Sequence, residues 1–469
     1  MAETGELLWA PRAWVGGRWR ERVVLEIAAR PSPDGLRPVG QPSYWRAITP
    51  DQPCPAQATP LAGPVLPGLV DAHSHAFQRA FVGHAETLVG AHDDFWSWRD
   101  RMYGVALKIN VEQLRAVAAH VYAELLAGGY TQVCEFHYLQ HAPNGTPYAD
   151  PATLAWAVAD GAQDAGIGLT MLPVVYERAG FEAPALRPDQ RRFATTAASV
   201  LALQRDLAAS RRPMLEAGVA IHSLRAARPE SITAIARGAT GGPVHIHIAE
   251  QTAEVEDCLS TNGLRPIDWL NRHVRLDARW HLVHATHTVP AEIDAVARTG
   301  AGVVLCPGTE ANLGDGLADL PGWLQAGVPL TIGSDSQVVR EWPEELRWLE
   351  YGQRLGLRRR NVAANPAGGQ SATAARLFDA MLAGSPAAAG LPRWGLVPGA
   401  RADLLVLNRQ DPALQGVPDH KLLDALVFAA PARPFRDVMV AGRWRVRSNH
   451  HLDEERLTAR FVDAMRELQ

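Results

Sequence analysis

The chain has 469 residues, of which 47% are hydrophobic and 20% are charged. This composition is typical of a folded protein with a barrel-sized core and one accessory domain, and it excludes a disordered chain. The formal net charge is -4 without blocks of like charge, so we expect no nucleic-acid partner. The first residues lack a signal-peptide pattern and no run of about 18 apolar residues occurs, so we expect no membrane partner and a cytoplasmic location.

The four cysteines do not form a metal-binding or disulfide pattern. They are Cys54, Cys134, Cys258 and Cys306, which lie far apart without a CxxC pair. Zinc ribbons and small disulfide-linked domains need closely paired cysteines. We therefore expect reduced thiols, most of them buried.

Short apolar runs alternate with longer amphipathic segments from Val65 onward, which indicates repeated strand–helix units. The predicted strands are PVLPGLVDAH, YTQVCEF, GLTMLPVV, EAGVAIHS, PVHIHIAE, RWHLVHA, AGVVLCP and PLTIGSDS. Helical segments such as NVEQLRAVAAHVYAELLAGG and AEVEDCLSTNG lie between them. Eight parallel strands with crossover helices predict an α/β protein with a (β/α)8 TIM-type barrel, which we place at residues 63–390.

Periodicity alone leaves a doubly wound open sheet as the alternative to a closed barrel. Histidines, acids or arginines follow the first, second, fourth, fifth, sixth and eighth predicted strands. A barrel collects the loops at the C-terminal ends of its strands around one pocket, whereas an open sheet would scatter these side chains. The distribution therefore favours the barrel.

Residues 1–62 and 391–469 have a different pattern, which is rich in Trp, Val, Arg and turn residues. GGRWRERVVLEIAA, GARADLLVLN and DVMVAGRWRV are typical of short strands, and EERLTARFVDAMREL is typical of an amphipathic helix. Because both segments flank the barrel, we expect them to form one small β-sandwich domain with a C-terminal helix.

The segment DAHSHAFQRA places His73 and His75 two residues apart at the end of the first predicted strand. Side chains at this spacing lie on the same face of a strand, which is the arrangement that two metal ligands need. The same pattern also occurs as hydrogen-bonded histidines without a metal. The interpretation therefore depends on ligands elsewhere in the chain.

Candidate ligands and bases follow the fifth, sixth and eighth predicted strands. They are His247 and Glu250 in HIHIAE, His284 and His287 in LVHATH, and Asp335 in TIGSDS. His245 points to the same side as His247 but lies one layer deeper. Each residue has a structural alternative, since Asp335 could cap a helix and His284 could be hydrogen-bonded in the core.

Three histidines and a carboxylate from strands one, five and eight suit one divalent ion, Zn²⁺ or Fe²⁺, with a position open for water. Zinc lowers the pKa of bound water to about 7, which provides a nucleophile at neutral pH. Asp335 could bind the ion and accept a proton from this water, Glu250 could protonate the leaving nitrogen, and His284 could polarise the electrophile. No lysine follows strand four that could bridge two ions, so we expect one ion per chain.

Strand four ends in AIHSLRA, in which His222 and Arg225 are candidate substrate contacts. The alternative is a buried histidine beside a surface arginine.

Several segments resemble the amidohydrolase superfamily and, within it, the formimidoylglutamate deiminase family. They are HSHAFQRA, DDFWSWRDRMY, CEFHYLQH, AIHSLRA, HIHIAEQTAEVEDC, TEANLGDG, GSDS and EELRWLEYGQRL, which span residues 64–355. GLVPGARADLLVLN is similar to the closing strand segment of the superfamily. The HxH and SD elements are shared widely and indicate the mechanism, whereas HAFQRA, FWSWRDRMY and EFHYL are narrower.

This resemblance implies zinc-dependent hydrolysis of N-formimino-L-glutamate to N-formyl-L-glutamate and ammonia. It implies that His73, His75, His247 and Asp335 bind the zinc, and that Glu250 and His284 transfer protons. It further implies a substrate pocket lined by Gln78, Arg99, Tyr138, His222 and Arg225. Arginine forks and a phenol donor suit a small substrate with carboxylates. For Arg99 and Tyr138 the alternatives are a surface ion pair and a packed ring.

The chain departs from the family at Gln337, where a histidine commonly follows GSDS, and VVREWP beyond it is also unusual. This departure leaves the zinc ligands intact but puts the contacts of the strand-eight loop in doubt. The insert around SPDGLRPVGQPSYW departs as well. Because barrel amidohydrolases are often dimers, we expect a homodimer.

Two alternative functions remain at this point. One is a deaminase of a cyclic substrate of the guanine or s-triazine type, although a neutral ring does not need two guanidinium groups. The other is a non-catalytic barrel that serves as a scaffold, which we would expect to have lost ligands.

Overall fold

The structure is a computed structural model that describes residues 6–28, 41–88 and 93–468. Most of the predicted insert SPDGLRPVGQPSYW, residues 32–40, lies outside the described residues. Strands β1 (Glu6–Trp14), β2 (Trp19–Ile27), β3 (Trp45–Thr49), β4 (Thr59–Pro60) and β5 (Val65–Leu66) come first in the chain.

The barrel strands follow in the predicted order. They are β6 (Leu69–Ser74), β7 (Tyr130–His137), β8 (Gly168–Val175), β9 (Leu215–Ala217), β10 (Val219–Ile221), β11 (Val244–Ile248), β12 (Trp280–His284), β13 (Gly302–Leu305) and β14 (Leu330–Ile332). Strands β9 and β10 form the fourth barrel strand in two parts. All of these strands pair in parallel, and almost every residue in them is buried, as expected for a sheet covered on both faces.

The sheet closes on itself, because β10 pairs with both β8 and β11, and β14 pairs with β6. The open-sheet alternative is therefore wrong, and the predicted (β/α)8 barrel is confirmed. The junction of β14 and β6 is short, with Ile332 opposite Asp71 and an isolated bridge between Ser74 and Asp335. This junction brings the first and the eighth strand ends together.

Helices surround the barrel and complete the terminal region. They are α1 (Phe95–Ala106), α2 (Val111–Ala127), α3 (Thr153–Ala165), α4 (Ala197–Ala209), α5 (Pro229–Gly238), α6 (Thr252–Asn262), α7 (Pro266–His273), α8 (Pro290–Ala297), α9 (Pro307–Leu313), α10 (Leu320–Ala326), α11 (Trp342–Leu357), α12 (Thr373–Ala389), α13 (Leu422–Phe428) and α14 (Glu454–Leu468). The predicted helix NVEQLRAVAAHVYAELLAGG corresponds to α2. Its N-terminus is stabilised by a capping box between Asn110 and Gln113.

The last strands are β15 (Leu404–Leu407), β16 (Phe435–Val440), β17 (Arg443–Arg447) and β18 (His450–His451). They join β1 to β5 in one nine-stranded, mostly antiparallel sheet with its own apolar cluster around Leu25, Trp45 and Leu404. The prediction of a β region built from both termini is confirmed. The limits at residues 62/63 and 390/391 stay a prediction.

The first predicted strand is divided between the two sheets. Val65–Leu66 pairs with β1 and β15 of the terminal sheet, and Leu69 begins the barrel. Pro67 lacks the N–H that a ladder needs, and a side chain on Gly68 would lie 2.3 Å from Oγ1 of Thr131. The chain passes from the terminal sheet into the barrel at this Pro-Gly pair. In the described residues, none of the helices is long and apolar enough to cross a membrane.

Candidate active site

The two histidines of the HSH segment lie at the C-terminal end of β6, inside the barrel mouth. The Nε2 atoms of His73 and His75 are each 3.4 Å from Oδ1 of Asp335, which follows β14. His247 near the end of β11 points its Nε2 to within 3.0 Å of Nε2 of His73. The structure thus brings together three imidazoles and one carboxylate, which we call the ligand cluster: His73, His75, His247 and Asp335.

Burial keeps the imidazoles of the ligand cluster neutral. It lowers the pKa of His73, lowers the pKa of His75 to about 3, and holds that of His247 well below its usual range. For Asp335, burial acts to raise the pKa, but the hydrogen bond with His73 and the positive charge of His284 outweigh it and lower that pKa below the usual range. Neutral imidazoles and an ionised carboxylate are the forms that bind a divalent metal.

The hydrogen bonds of the cluster fit a metal ion. Nδ1 of His75 lies 3.0 Å from the carbonyl of Phe136, so it carries the proton and Nε2 keeps its lone pair. The ligand atoms of the three histidines lie within 4.8 Å of one another. In contrast, His245 lies one layer deeper, with Nε2 3.0 Å from the carbonyl of Ala388. A mononuclear site with histidine and carboxylate ligands matches this donor set.

Two of the candidate site residues have an unfavourable backbone conformation. Asp335 has a φ of 49° and His284 has a φ of 70°, in the left-handed region that residues other than glycine rarely adopt. Asp335 is held there by backbone hydrogen bonds, from its N–H to the carbonyl of His73 and from the N–H of His75 to its carbonyl. Such conformations persist only where the surrounding structure fixes them, and they concentrate at active sites.

Glu250 and His284 lie beside the ligand cluster. Oε1 of Glu250 is 3.7 Å from Nε2 of His284, and that nitrogen is 3.8 Å from Oδ2 of Asp335. Burial raises the pKa of Glu250, so this carboxyl group retains a proton at higher pH than an exposed one. Glu310 lies on the other side of His284, with Oε1 3.4 Å from Nδ1.

A cavity of about 490 Å³ opens beside these residues. The predicted site residues that line it are His75, Gln78, Arg99, Tyr138, His222, Arg225, His247, Glu250, His284 and Asp335. His73 lies beneath it, fully buried. Its lining of aromatic and polar side chains is typical of a binding site for a small molecule.

Two arginines form one wall of the cavity. Arg99 lies over the ring of Trp96 at 4.8 Å, and Arg225 lies over the same ring at 5.1 Å. Asp94 caps α1 by accepting hydrogen bonds from the N–H groups of Trp96 and Ser97, which fixes the start of the helix that carries Arg99. The nearest carboxylate to Arg225 is Glu250 at 3.8 Å, and Nε of this buried arginine has no partner among the described residues. A guanidinium in this state suits an anionic ligand.

The other predicted pocket residues lie between the arginines and the ligand cluster. Nε2 of Gln78 donates to the hydroxyl of Tyr138 at 2.9 Å, and the Tyr138 ring lies 5.0 Å from that of His75. His222 packs against Tyr176 at 4.2 Å and against His247 at 5.1 Å. Burial holds the pKa of His222 well below its usual range, so this imidazole is neutral.

Sequence reasoning missed several residues near the cavity. Tyr103 and Tyr176 line it with their hydroxyl groups 3.2 Å apart, and Gln190 donates to both. Glu310 and Asp315, both in the quoted TEANLGDG segment, are buried near His284. The two acids after the seventh strand and Tyr103 in the quoted DDFWSWRDRMY segment were possible signals, whereas Tyr176, which directly follows β8, had none.

The fold and the site define the class of protein. Residues 65–445 match the model of the amidohydrolase family, and the chain belongs to this family. A solved structure of an amidohydrolase from Brucella melitensis has a TM-score of 0.90 and 38% identity, and the match covers 99% of both chains. An adenosine deaminase from Xanthomonas campestris, solved with bound zinc, matches with a TM-score of 0.78 and 21% identity over 99% of this chain and 98% of that one, which supports the fold alone.

One particular relative that the sequence resembles is a formimidoylglutamate deiminase from Pseudomonas aeruginosa. It is 45% identical over 467 residues, which cover 98% of this chain and 99% of the relative. The resemblance predicted from the sequence motifs is therefore confirmed, as is the prediction of a hydrolase. The family assignment also removes the support for a scaffold without catalytic activity.

Proposed function

We propose that this chain hydrolyses N-formimino-L-glutamate to N-formyl-L-glutamate and ammonia, with one zinc ion held by the ligand cluster. The observation that carries the proposal is the arrangement of the cavity. Two guanidinium groups, those of Arg99 and Arg225, line the cavity above the ligand cluster together with Glu250 and His284. This arrangement matches a substrate with carboxylates at one end and a hydrolysable C–N bond at the other.

A zinc ion, when bound, would supply a water of lowered pKa and a Lewis acid beside the cavity. The protein residues have separate tasks. Arg99 and Arg225 bind the substrate carboxylates, and Gln78 and Tyr138 orient the substrate. His284 donates from Nε2 to the electrophilic group, because the acids around it keep it protonated. Asp335 and Glu250 pass the two protons of the attacking water to the formimino nitrogen: the C–O bond forms first, and the C–N bond then breaks to release ammonia and leave a carbonyl.

The test is ammonia release from N-formimino-L-glutamate by the purified chain, before and after zinc is removed with a chelator. We expect turnover that disappears with the chelator and returns when zinc is added. Turnover that is unaffected by the chelator would contradict the metal assignment. Iron added to the metal-free protein shows whether Fe²⁺ also supports the reaction.

The same assay separates this proposal from a deaminase of a cyclic substrate. Guanine and an s-triazine are neutral rings without carboxylates, so they would make no ion pair with either guanidinium group of the cavity. Ammonia released faster from either ring than from N-formimino-L-glutamate would contradict the proposed substrate. The predicted homodimer and the cytoplasmic location stay predictions, and light scattering on the purified chain tests the first.

A further inference from the structure

Gln337 lies behind the ligand cluster and outside the substrate cavity. It is the last residue of the turn that follows β14, residues 334–337, which we call the strand-eight turn. Its side chain is completely buried and is absent from the cavity lining. The family commonly has a histidine at this position. The glutamine of this chain therefore changes the residues behind the ligand cluster and leaves the residues that line the cavity unchanged.

The amide of Gln337 joins two segments that carry ligands. Its Nε2 atom lies 3.0 Å from Oγ of Ser74 and 2.9 Å from Oγ of Ser334. Ser74 stands between the two histidines of the HSH segment, and Ser334 directly precedes Asp335. One side chain thus connects the end of β6 to the strand-eight turn.

The direction of these hydrogen bonds is fixed by the other partners of the serines. Oγ of Ser74 donates to Oε2 of Glu135 at 2.7 Å, and Oγ of Ser334 donates to Oδ2 of Asp71 at 2.5 Å. A hydroxyl group has a single proton, so both serines can only accept from Gln337. The two N–H donors of the primary amide supply both bonds, whereas one nitrogen of an imidazole supplies a single N–H.

The strand-eight turn needs such support. Asp335 and Gln337 have φ angles of 49° and 69°, both in the left-handed region. The barrel closes here through only a short register between β14 and β6. Nε2 of Gln337 also lies 3.3 Å from the carbonyl of Asp335, which accepts the N–H of His75. The amide therefore holds the turn and the HSH segment in one arrangement.

We propose that Gln337 is a positioning residue for the metal site: by clamping Ser74 to Ser334, it sets the Asp335 carboxylate relative to His73 and His75. It acts through the two serines and does not touch the substrate. The inference rests on the proposed function only in taking Asp335 and the two histidines as metal ligands.

The test replaces Gln337 with Met, which has similar length and no donor. In the full-length chain, we expect Gln337→Met to weaken zinc binding by about tenfold or more, measured by competition with a chelator. The visible absorption spectrum of the cobalt-substituted protein should change as well, because it reports the ligand geometry. The matched control is Gln353→Met in α11, where a buried amide donates to the carbonyl of Ala318 at 2.8 Å. This control should keep the zinc affinity and the cobalt spectrum of the wild type.

Wild-type zinc affinity and an unchanged cobalt spectrum in Gln337→Met would overturn the inference, even if the melting temperature falls. If Gln337→Met does not fold, Ser74→Ala takes its place, since it removes one acceptor and keeps the amide. Weaker zinc binding in Ser74→Ala supports the inference, and unchanged binding overturns it. A wild-type chain that binds neither zinc nor cobalt overturns the metal assignment as well, whereas normal binding in both wild type and variants overturns this inference alone.

Discussion

Oε1 of Glu250 lies 3.7 Å from Nε2 of His284, with both side chains buried at the edge of the cavity. Burial raises the pKa of Glu250. Burial also acts to lower the pKa of His284, but the carboxylates of Glu250, Asp335 and Glu310 outweigh it and raise that pKa to about 10. An ionised Glu250 favours the imidazolium of His284, so the two side chains together can hold a proton beside the reacting group.

Replacing Glu250 by Gln tests its role in proton transfer. The amide keeps the size of the side chain but cannot transfer a proton, so we expect kcat to fall by about 10²–10⁴-fold. Zinc content should stay at the wild-type level, because Glu250 is outside the ligand cluster. The measurements are ammonia release and metal analysis. Glu256→Gln makes the same change at an exposed position of α6 and should leave turnover unchanged.

Replacing Arg225 by Met tests the binding of the substrate carboxylate. Hydrogen bonds to a charged group contribute about 1.5–3 kcal/mol, so we expect kcat/KM to fall by about 10–100-fold, mostly through KM. Steady-state kinetics on N-formimino-L-glutamate check this expectation. Arg237→Met removes an exposed arginine of α5 and serves as the control. An unaltered KM in Arg225→Met would mean that other residues bind the substrate carboxylate.

Zinc binding should stabilise the folded chain. A ligand that binds only the folded state adds about 2.7 kcal/mol when its concentration is 100 times Kd, so the melting temperature should rise with zinc. Asp335→Asn removes the anionic member of the cluster and should reduce this rise. Calorimetry with and without zinc measures both effects. An equal rise in melting temperature in the wild type and in Asp335→Asn would mean that zinc binds at another site.

The stability of the metal-free protein should depend on His281, which is buried below the site. Burial lowers its pKa from 6.5 to about 4, so the unfolded state takes up a proton first as the pH falls. The folded state therefore binds fewer protons than the unfolded state, and the free energy of unfolding falls as the pH drops below 6.5. We expect this loss to be about 2 kcal/mol between pH 7 and pH 5. Urea unfolding at both pH values should show a smaller loss for His281→Gln. Equal losses of stability in the wild type and in His281→Gln would mean that another group is responsible for the pH dependence.

A buried ion pair connects the terminal sheet to the barrel. Arg401 contacts Asp403 at 2.7 Å and donates to Oε1 of Gln132 in β7 at 2.7 Å. Arg401→Met would leave Asp403 buried without its cation, so we expect a loss of about 3–5 kcal/mol in stability. The double variant Arg401→Met, Asp403→Leu removes both charges and should recover part of it. Thermal unfolding compares the single and the double variant. Equal melting temperatures would contradict the proposal that the unpaired carboxylate of Asp403 causes the loss.

The barrel could be predicted from local patterns because its strands are buried on both faces and are nearly continuous apolar runs. The same patterns could not locate the passage between the sheets at Pro67 and Gly68. That passage depends on Thr131, whose side chain leaves no room for a Cβ at Gly68. Contacts between residues so distant in the chain leave no periodic signal in the sequence.

Candidate site residues at strand ends could also be predicted, because parallel strands deliver their C-terminal ends to one face of a barrel. His247 and Asp335 are examples, since His247 is the penultimate residue of β11 and Asp335 lies three residues after β14. Tyr176 and Gln190 could not be predicted in the same way. Their place near the cavity depends on how the loop after β8 packs against α1, where both side chains contact the hydroxyl group of Tyr103.

By itself, the sequence determined the order of strands and helices and the set of side chains available for chemistry, because these follow from local composition and spacing. The family followed from the resemblance of its motifs to known proteins. Only the tertiary structure decided that Glu250 stands beside His284, that Arg99 and Arg225 share the ring of Trp96, and that Gln337 supports Asp335 from behind. Closure of the barrel sets the distances between strand ends, the burial of their side chains and the resulting pKa shifts. These quantities depend on the pairing of all eight strands and cannot be assigned to any single segment.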